Sequence, residues 1–167
     1  MRLTSALAAL AALSFAHAAA AAPATVSISF SPEFQQQLND ELGVREGDIL
    51  QAAVSDAVAR ALAERGVDAA ALTVEVSIID ARPNRPTMQQ LVDQPGLDAI
   101  RSVSIGGAEL RGVLRGADGE VLGEVTHRRY NHNLDDIVGP ATTWTEARRA
   151  IRQFANKIAD AYVAHAR

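Results

Sequence analysis

Cysteine is missing from all 167 residues of the chain. Its absence excludes a disulfide framework, a thiolate metal site and lipid attachment through a cysteine thiol. The N-terminal apolar run, Ala6 to Ala16 with one interruption at Ser14, is little more than half of the ~20 residues that a membrane span requires. No Lys/Arg-rich run occurs, and a net charge of -4 lacks the electrostatic footprint of a nucleic-acid binder. Lysine itself is scarce: Lys157 is the only one, which reads as a compositional habit rather than an arginine-specific function. There is no G-x-S-x-G elbow, no phosphate-cradling glycine loop, no H-E-x-x-H and no EF-hand loop. No pattern therefore assigns a catalytic residue or a cofactor, and none is expected.

What is present begins with a leader. Met1 and Arg2 precede the apolar run, and the alanine tract Ala18 to Ala22 ends at Pro23. A charged start, a short apolar core and a zone of small residues are the parts of a secretory signal peptide. Cleavage after Ala18 uses Ala16 and Ala18 as its small pair; cleavage after Ala21 uses Ala19 and Ala21. The expected organisation is a cleaved signal over residues 1–21 and a single α+β domain over 22–167. Without Arg2 the formal charge becomes -5. An export signal without disulfides suits a bacterial periplasm, where a chain of about 145 residues buries an adequate core unaided. The predicted location is periplasmic or secreted, with no transmembrane span after processing.

Thr25 to Phe30 alternates Val26, Ile28 and Phe30 against Ser27 and Ser29, as a strand does. Ser31-Pro32-Glu33 has the chemistry of a helix start, and Phe34, Leu38 and Leu42 form one stripe that Gly43 closes. A longer helix is predicted over 48–65, from Asp48 to the stop at Gly66. Leu72, Val74, Val76 and Ile78 mark a second strand, and Pro83 and Pro86 turn the following segment into a long loop. Ala108 to Arg115 and Val121 to Tyr130 alternate on either side of Asp118-Gly119, a hairpin. Thr143 and Glu146 have the spacing of a capping box ahead of a stripe carrying Trp144, Ile151, Phe154 and Ile158. The order β-α-β-β-β-α predicts an α+β two-layer sandwich, with a four-stranded, mostly antiparallel sheet and two main helices on one face.

Two segments hold the candidate binding chemistry. Arg82 and Arg85 lie in the long loop, where function concentrates, and can donate to an anion. His127, Arg129, Tyr130 and His132 belong to the densest polar run, which ends with Asp135 and Asp136. His132, Asp135 and Asp136 are metal-capable residue types. Along a strand His127 and Arg129 share one face and Arg128 and Tyr130 the other, so the run converges only if the chain turns after Tyr130.

Three pieces, LTVEVSIIDARPNRP, GGAELRGVLRGADGEVLGEVTHRR and WTEARRAIRQFANKIADAYV, give residues 48 to 165 a pattern that resembles bacterial cell-envelope families, periplasmic or outer-membrane lipoprotein-like and of unknown function. The element order is also similar to that of accessory lipoproteins of lipopolysaccharide assembly. The chain departs from both in having no cysteine to lipidate. The resemblance implies an accessory or binding role with an envelope protein as partner, and carries over no catalytic residue. The alternative is a periplasmic ligand- or metal-binding protein, or a hydrolase, built on His127 to Asp136. A pocket joining the long loop to His127 or His132 favours a ligand, and a flat apolar patch on the helix-free sheet face favours a protein.

Overall fold

The computed structural model describes residues 25–67, 72–137 and 141–166, and the expected signal peptide lies outside them. Strand β1 (Thr25–Phe30) leads into α1 (Pro32–Gln37), which runs on through a π-helical turn, Leu38–Leu42. The Ser31 hydroxyl accepts from the Phe34 N–H at 3.1 Å and donates to the Ile79 carbonyl at 3.0 Å, so one side chain caps the helix and ties it to the sheet. Phe34, Leu38 and Leu42 are buried as one stripe.

Helix α2 spans Val44–Glu64, four residues earlier than the expected start at Asp48. Gly43, at φ 98°, ends one helix and opens the next in a conformation that disfavours other residues. Gly47 does not break α2, because it is where the helix meets the core. A Cβ there would lie 3.2 Å from both Leu38 and the Phe30 ring.

Strands β2 (Thr73–Arg82), β3 (Gly107–Arg115) and β4 (Val121–Tyr130) complete a sheet of order β1-β2-β3-β4. β1 runs parallel to β2 and the other pairs are antiparallel. The long α1–α2 crossover permits the parallel pair. β2 extends past Ile78, where the loop was expected, through a bulge at Ile79 and stops just before Pro83. The bulge turns Ala81 inward and it is fully buried. Between β3 and β4 the reversal is at Gly119, φ 83°, and a second bulge at Leu122 sets the register of β4. Gly123, Val125, His127 and Arg129 face the helices; Glu124, Thr126, Arg128 and Tyr130 face away.

Both main helices, α2 and α4 (Thr145–His165), pack on one face of this sheet. Ile151, Phe154 and Ile158 are buried there, and each contributes ~1.5–3 kcal/mol by transfer. Gly112 in β3 makes the close approach of α4 possible, since a Cβ would meet the Phe154 ring at 2.7 Å and Ile158 at 2.8 Å. The expected Thr143/Glu146 capping box does not form. The Glu146 N–H is capped instead by Oδ1 of Asn84 at 2.8 Å, and its carboxylate is committed elsewhere. No described helix is long and apolar enough to cross a membrane.

Candidate functional site

The connection between β2 and β3 holds only one short helix, and Asn84 organises it. Asn84 is fully buried. Its N–H donates to the Thr143 carbonyl (2.7 Å), its carbonyl accepts from the Ser104 N–H (2.9 Å), its Nδ2 donates to the Ser104 carbonyl (3.1 Å) and its Oδ1 caps α4. One side chain thus pins both ends of the loop to the helix. Gly106 leaves room for it, since a Cβ there would fall 2.4 Å from Oδ1.

The rest of the connection is shaped locally. Thr87 and Gln90 cap α3 (Met88–Asp93) reciprocally. The Asp98 carboxylate accepts from the N–H groups of Ile100 and Arg101 at 2.7 Å each. Those two backbone bonds, Arg101's first, hold the Asp98 carboxyl below its ordinary range. Arg85 turns its guanidinium onto the carbonyls of Ala141, Ala99 and Ile100. A cavity of about 620 Å³ results, walled by Leu97, Val103 and Ile105 and rimmed by Arg82, Arg85 and Arg101.

At the end of the sheet, side chains on the helix-free face line up across strands. Arg82, Gly107 and Tyr130 form one row, and Asp80, Glu109 and Arg128 the next. Gly107 contributes no side chain to its row; a Cβ there would run into the Arg129 carbonyl and lie 2.6 Å from both the Cα and the ring of Tyr130. The Arg82 guanidinium stacks 4.9 Å from the ring centroid and that of Arg128 5.2 Å. Each arginine meets its carboxylate through Nε, Arg82 with Asp80 at 3.3 Å and Arg128 with Glu109 at 3.1 Å. Among the described residues their terminal nitrogens meet no carboxylate, and the two side chains are 60% and 66% exposed. Tyr130 donates to Asp80 at 2.7 Å. Burial, then that hydrogen bond and the Asp80 charge, push its phenol above the ordinary range. It is a neutral donor, unsuited to act as nucleophile or base.

A second cavity, about 530 Å³, lies beside these rows, lined by Arg82, Ile105, Arg128, Arg129, Tyr130, Asn131 and His132. Arg82 and Ile105 line both cavities, so the two adjoin across these side chains and form the two halves of a groove at this end of the sheet. The chain does turn after Tyr130: the Asn131 N–H bonds to the Gly106 carbonyl at 3.0 Å, and a short turn, Leu134–Asp136, follows. Nδ2 of Asn131, buried in the groove wall, has no acceptor among the described residues.

Of the residues singled out from sequence, Arg82, Arg129, Tyr130 and His132 come together at this groove, joined by Arg85 in its first half. His127 does not join them. It faces α4, where a ring nitrogen lies 3.2 Å from Oε1 of Gln153. Burial first, then the charge of Lys157 and that of Arg129, lower its pKa, with the Gln153 bond opposing. Arg129 also points toward α4, with Nη1 2.5 Å from Oε2 of the fully buried Glu146. His132, Asp135 and Asp136 do not converge: no group of three metal-capable side chains gathers among the described residues. Asp136 spends its carboxylate on the N–H groups of His132 (3.2 Å) and Asn133 (3.0 Å).

Asn84, Arg128 and Arg101 escape the sequence reading. Only Arg128 had a local signal, being in phase with Tyr130 on a strand. The helix-free face offers no flat apolar patch: Ser27, Ser29, Ser77 and Glu75 occupy it, with the ion pairs Arg111–Glu124 and Arg115–Glu75.

No protein-family model and no curated protein sequence matches the chain. Among solved structures, the chain matches a Caulobacter crescentus protein described as "a putative lipoprotein". The two share 14% identity over 84% of this chain and 90% of that one, with a TM-score of 0.39. That protein is of the class the sequence resembles.

Proposed function

We propose that the chain is an exported binding protein of the bacterial envelope, working without catalysis, whose ligand is an anion with an apolar portion. The observation that carries this reading is the groove at the Arg82 end of the sheet. Its first half has the volume of a small-molecule site, with Leu97, Val103 and Ile105 for an apolar chain. Its second half presents the free ends of Arg82 and Arg128 around Tyr130, where no carboxylate lines the cavity. Guanidinium forks held from behind by carboxylates suit a phosphate or carboxylate head. The leader read in the sequence supports export.

Dodecyl phosphate is the probe, and dodecyl maltoside its uncharged counterpart. Calorimetric titration of the processed chain should give saturable one-to-one binding of dodecyl phosphate below its micellar concentration and none of the maltoside. Arg128→Ala and Arg82→Ala should each weaken binding by about tenfold, ~1.4 kcal/mol. Equal response to both amphiphiles, or binding unchanged in the two variants, sinks the reading.

A further inference from the structure

β4 is an outer strand of the sheet and, at ten residues, longer than the six-residue β1 on the other side. The Asn131 N–H bonds inward to Gly106, and the alternation of an antiparallel ladder then sets the odd-numbered residues of β4 toward β3. The backbone groups of Glu124, Thr126, Arg128 and Tyr130 face outward, where no further strand pairs with β4 among the described residues. The strand carries neither proline nor lysine, and the charges at its outward positions, Glu124 and Arg128, are of opposite sign, so they complement a second copy where charges of one sign would repel it. Its bulge lies at the far end, at Leu122. Its inward cation, Arg129, is matched within the chain by Glu146.

We propose that β4 pairs antiparallel with β4 of a second copy about a two-fold axis at Thr126, joining two four-stranded sheets into one. The charges choose this register. Thr126 meets its own equivalent, Glu124 lies opposite Arg128 of the second copy, and Leu122 lies opposite Tyr130. Within one chain Glu109 pairs with Arg128 and Arg111 with Glu124. The pairing therefore continues an alternating ladder across the seam: Glu109, Arg128, then Glu124 and Arg111 of the second copy. A shift of one ladder step either way sets Arg128 opposite Thr126 or Leu122 and loses both cross-strand ion pairs, each of which favours the register by the charge rule for facing residues. On the helix side Val125 meets His127 of the second copy. The inference does not rest on the ligand reading, although both use Arg128: in the dimer its guanidinium stands between Glu124 of the second copy and the groove.

Sedimentation equilibrium of the processed chain should give twice the chain mass. Thr126→Pro removes an N–H that faces outward, a position where an edge strand tolerates proline, and should yield a monomer with an unchanged far-UV circular dichroism spectrum. Because the chain has no cysteine, Thr126→Cys introduces a single thiol. Facing residues of a hydrogen-bonded pair stand about 5.5 Å apart between Cα atoms, within disulfide reach, so mild oxidation should cross-link the dimer. Arg128→Cys puts the two thiols about 13 Å apart along the strands and should not cross-link. A monomeric native chain, a dimer that survives in folded Thr126→Pro, or Arg128→Cys cross-linking as readily as Thr126→Cys overturns the proposal. Should Thr126→Pro fail to fold, the two cysteine variants decide the matter.

Discussion

Glu146 has no exposed side-chain surface, and its partners come from two directions, Arg129 on β4 and Arg149 one turn further along α4. Arg149 Nη1 is 3.2 Å from Oε1 and 3.4 Å from Oε2, but only the Oε2 contact has hydrogen-bond geometry, so Oε1 is left with a charge contact alone. A buried carboxylate is tolerable only while its cations stay. Arg129→Met should therefore lower the unfolding free energy by about 3–5 kcal/mol, whereas adding Glu146→Leu should restore most of it, because the buried carboxylate is gone and Arg149, part-exposed, can turn to water. Urea titrations of the single and double variants check this; a double variant no more stable than the single one rules the ion pair out as the cause. Glu146 was legible in part, since it stands on the four-residue line Glu146, Ala150, Phe154, Ile158, and an acid on a buried stripe demands a cation. The capping-box spacing to Thr143 offered a local partner, and the distant arginine prevailed because the side chain is buried. Asn84 left no comparable trace: nothing in its neighbourhood says that it caps a helix 62 residues on.

Among elements, the β2–β3 connection depends on that asparagine more than on its own turns. Asn84→Ala orphans the buried Glu146 N–H, at about 1–3 kcal/mol for a buried group left unmade, and releases the Ser104 carbonyl to solvent. It should free the loop while sparing the sheet. Trypsin reports on this cleanly, because Arg82 and Arg85 precede prolines and Arg101 is the remaining site in the connection. Cleavage after Arg101 should accelerate severalfold with the far-UV spectrum retained. An unchanged rate would mean that the Asp98 turn holds the loop alone. The strands and the stripe of α4 were readable because period two and period four are local signals that packing then obeys. The start of α2 and the length of β2 were not, since Gly47 is helical through its contact with Phe30 and Leu38, and the bulge at Ile79 answers to pairing with β3. The groove was half readable: its arginines are visible in the loop and strand, but their meeting depends on Gly107 having no side chain.

The whole molecule should be most stable across a plateau bounded by two residues on opposite faces of the sheet. His127 is held below its ordinary value of 6.5 in the fold. As pH falls below about 6.5 the unfolded chain takes up that proton before the folded one does, so stability declines on the acid side and levels off beneath the folded pKa. Tyr130 is displaced the other way, above its ordinary value of 10.0. As pH rises beyond about 10 the unfolded chain loses a proton that the folded one keeps, and stability declines again. Asp98 adds a late acid loss, because its depressed carboxyl contributes stability only above its folded pKa. Urea unfolding at about pH 5.5, 8 and 10.5 should place the maximum at the middle value. His127→Gln should flatten the acid limb alone, keeping a hydrogen-bonding side chain beside Gln153, and Tyr130→Phe the alkaline limb alone. If both limbs persist in both variants, the pH dependence arises from net charge and not from these two sites, and the inward burial of His127 against α4 has no energetic consequence.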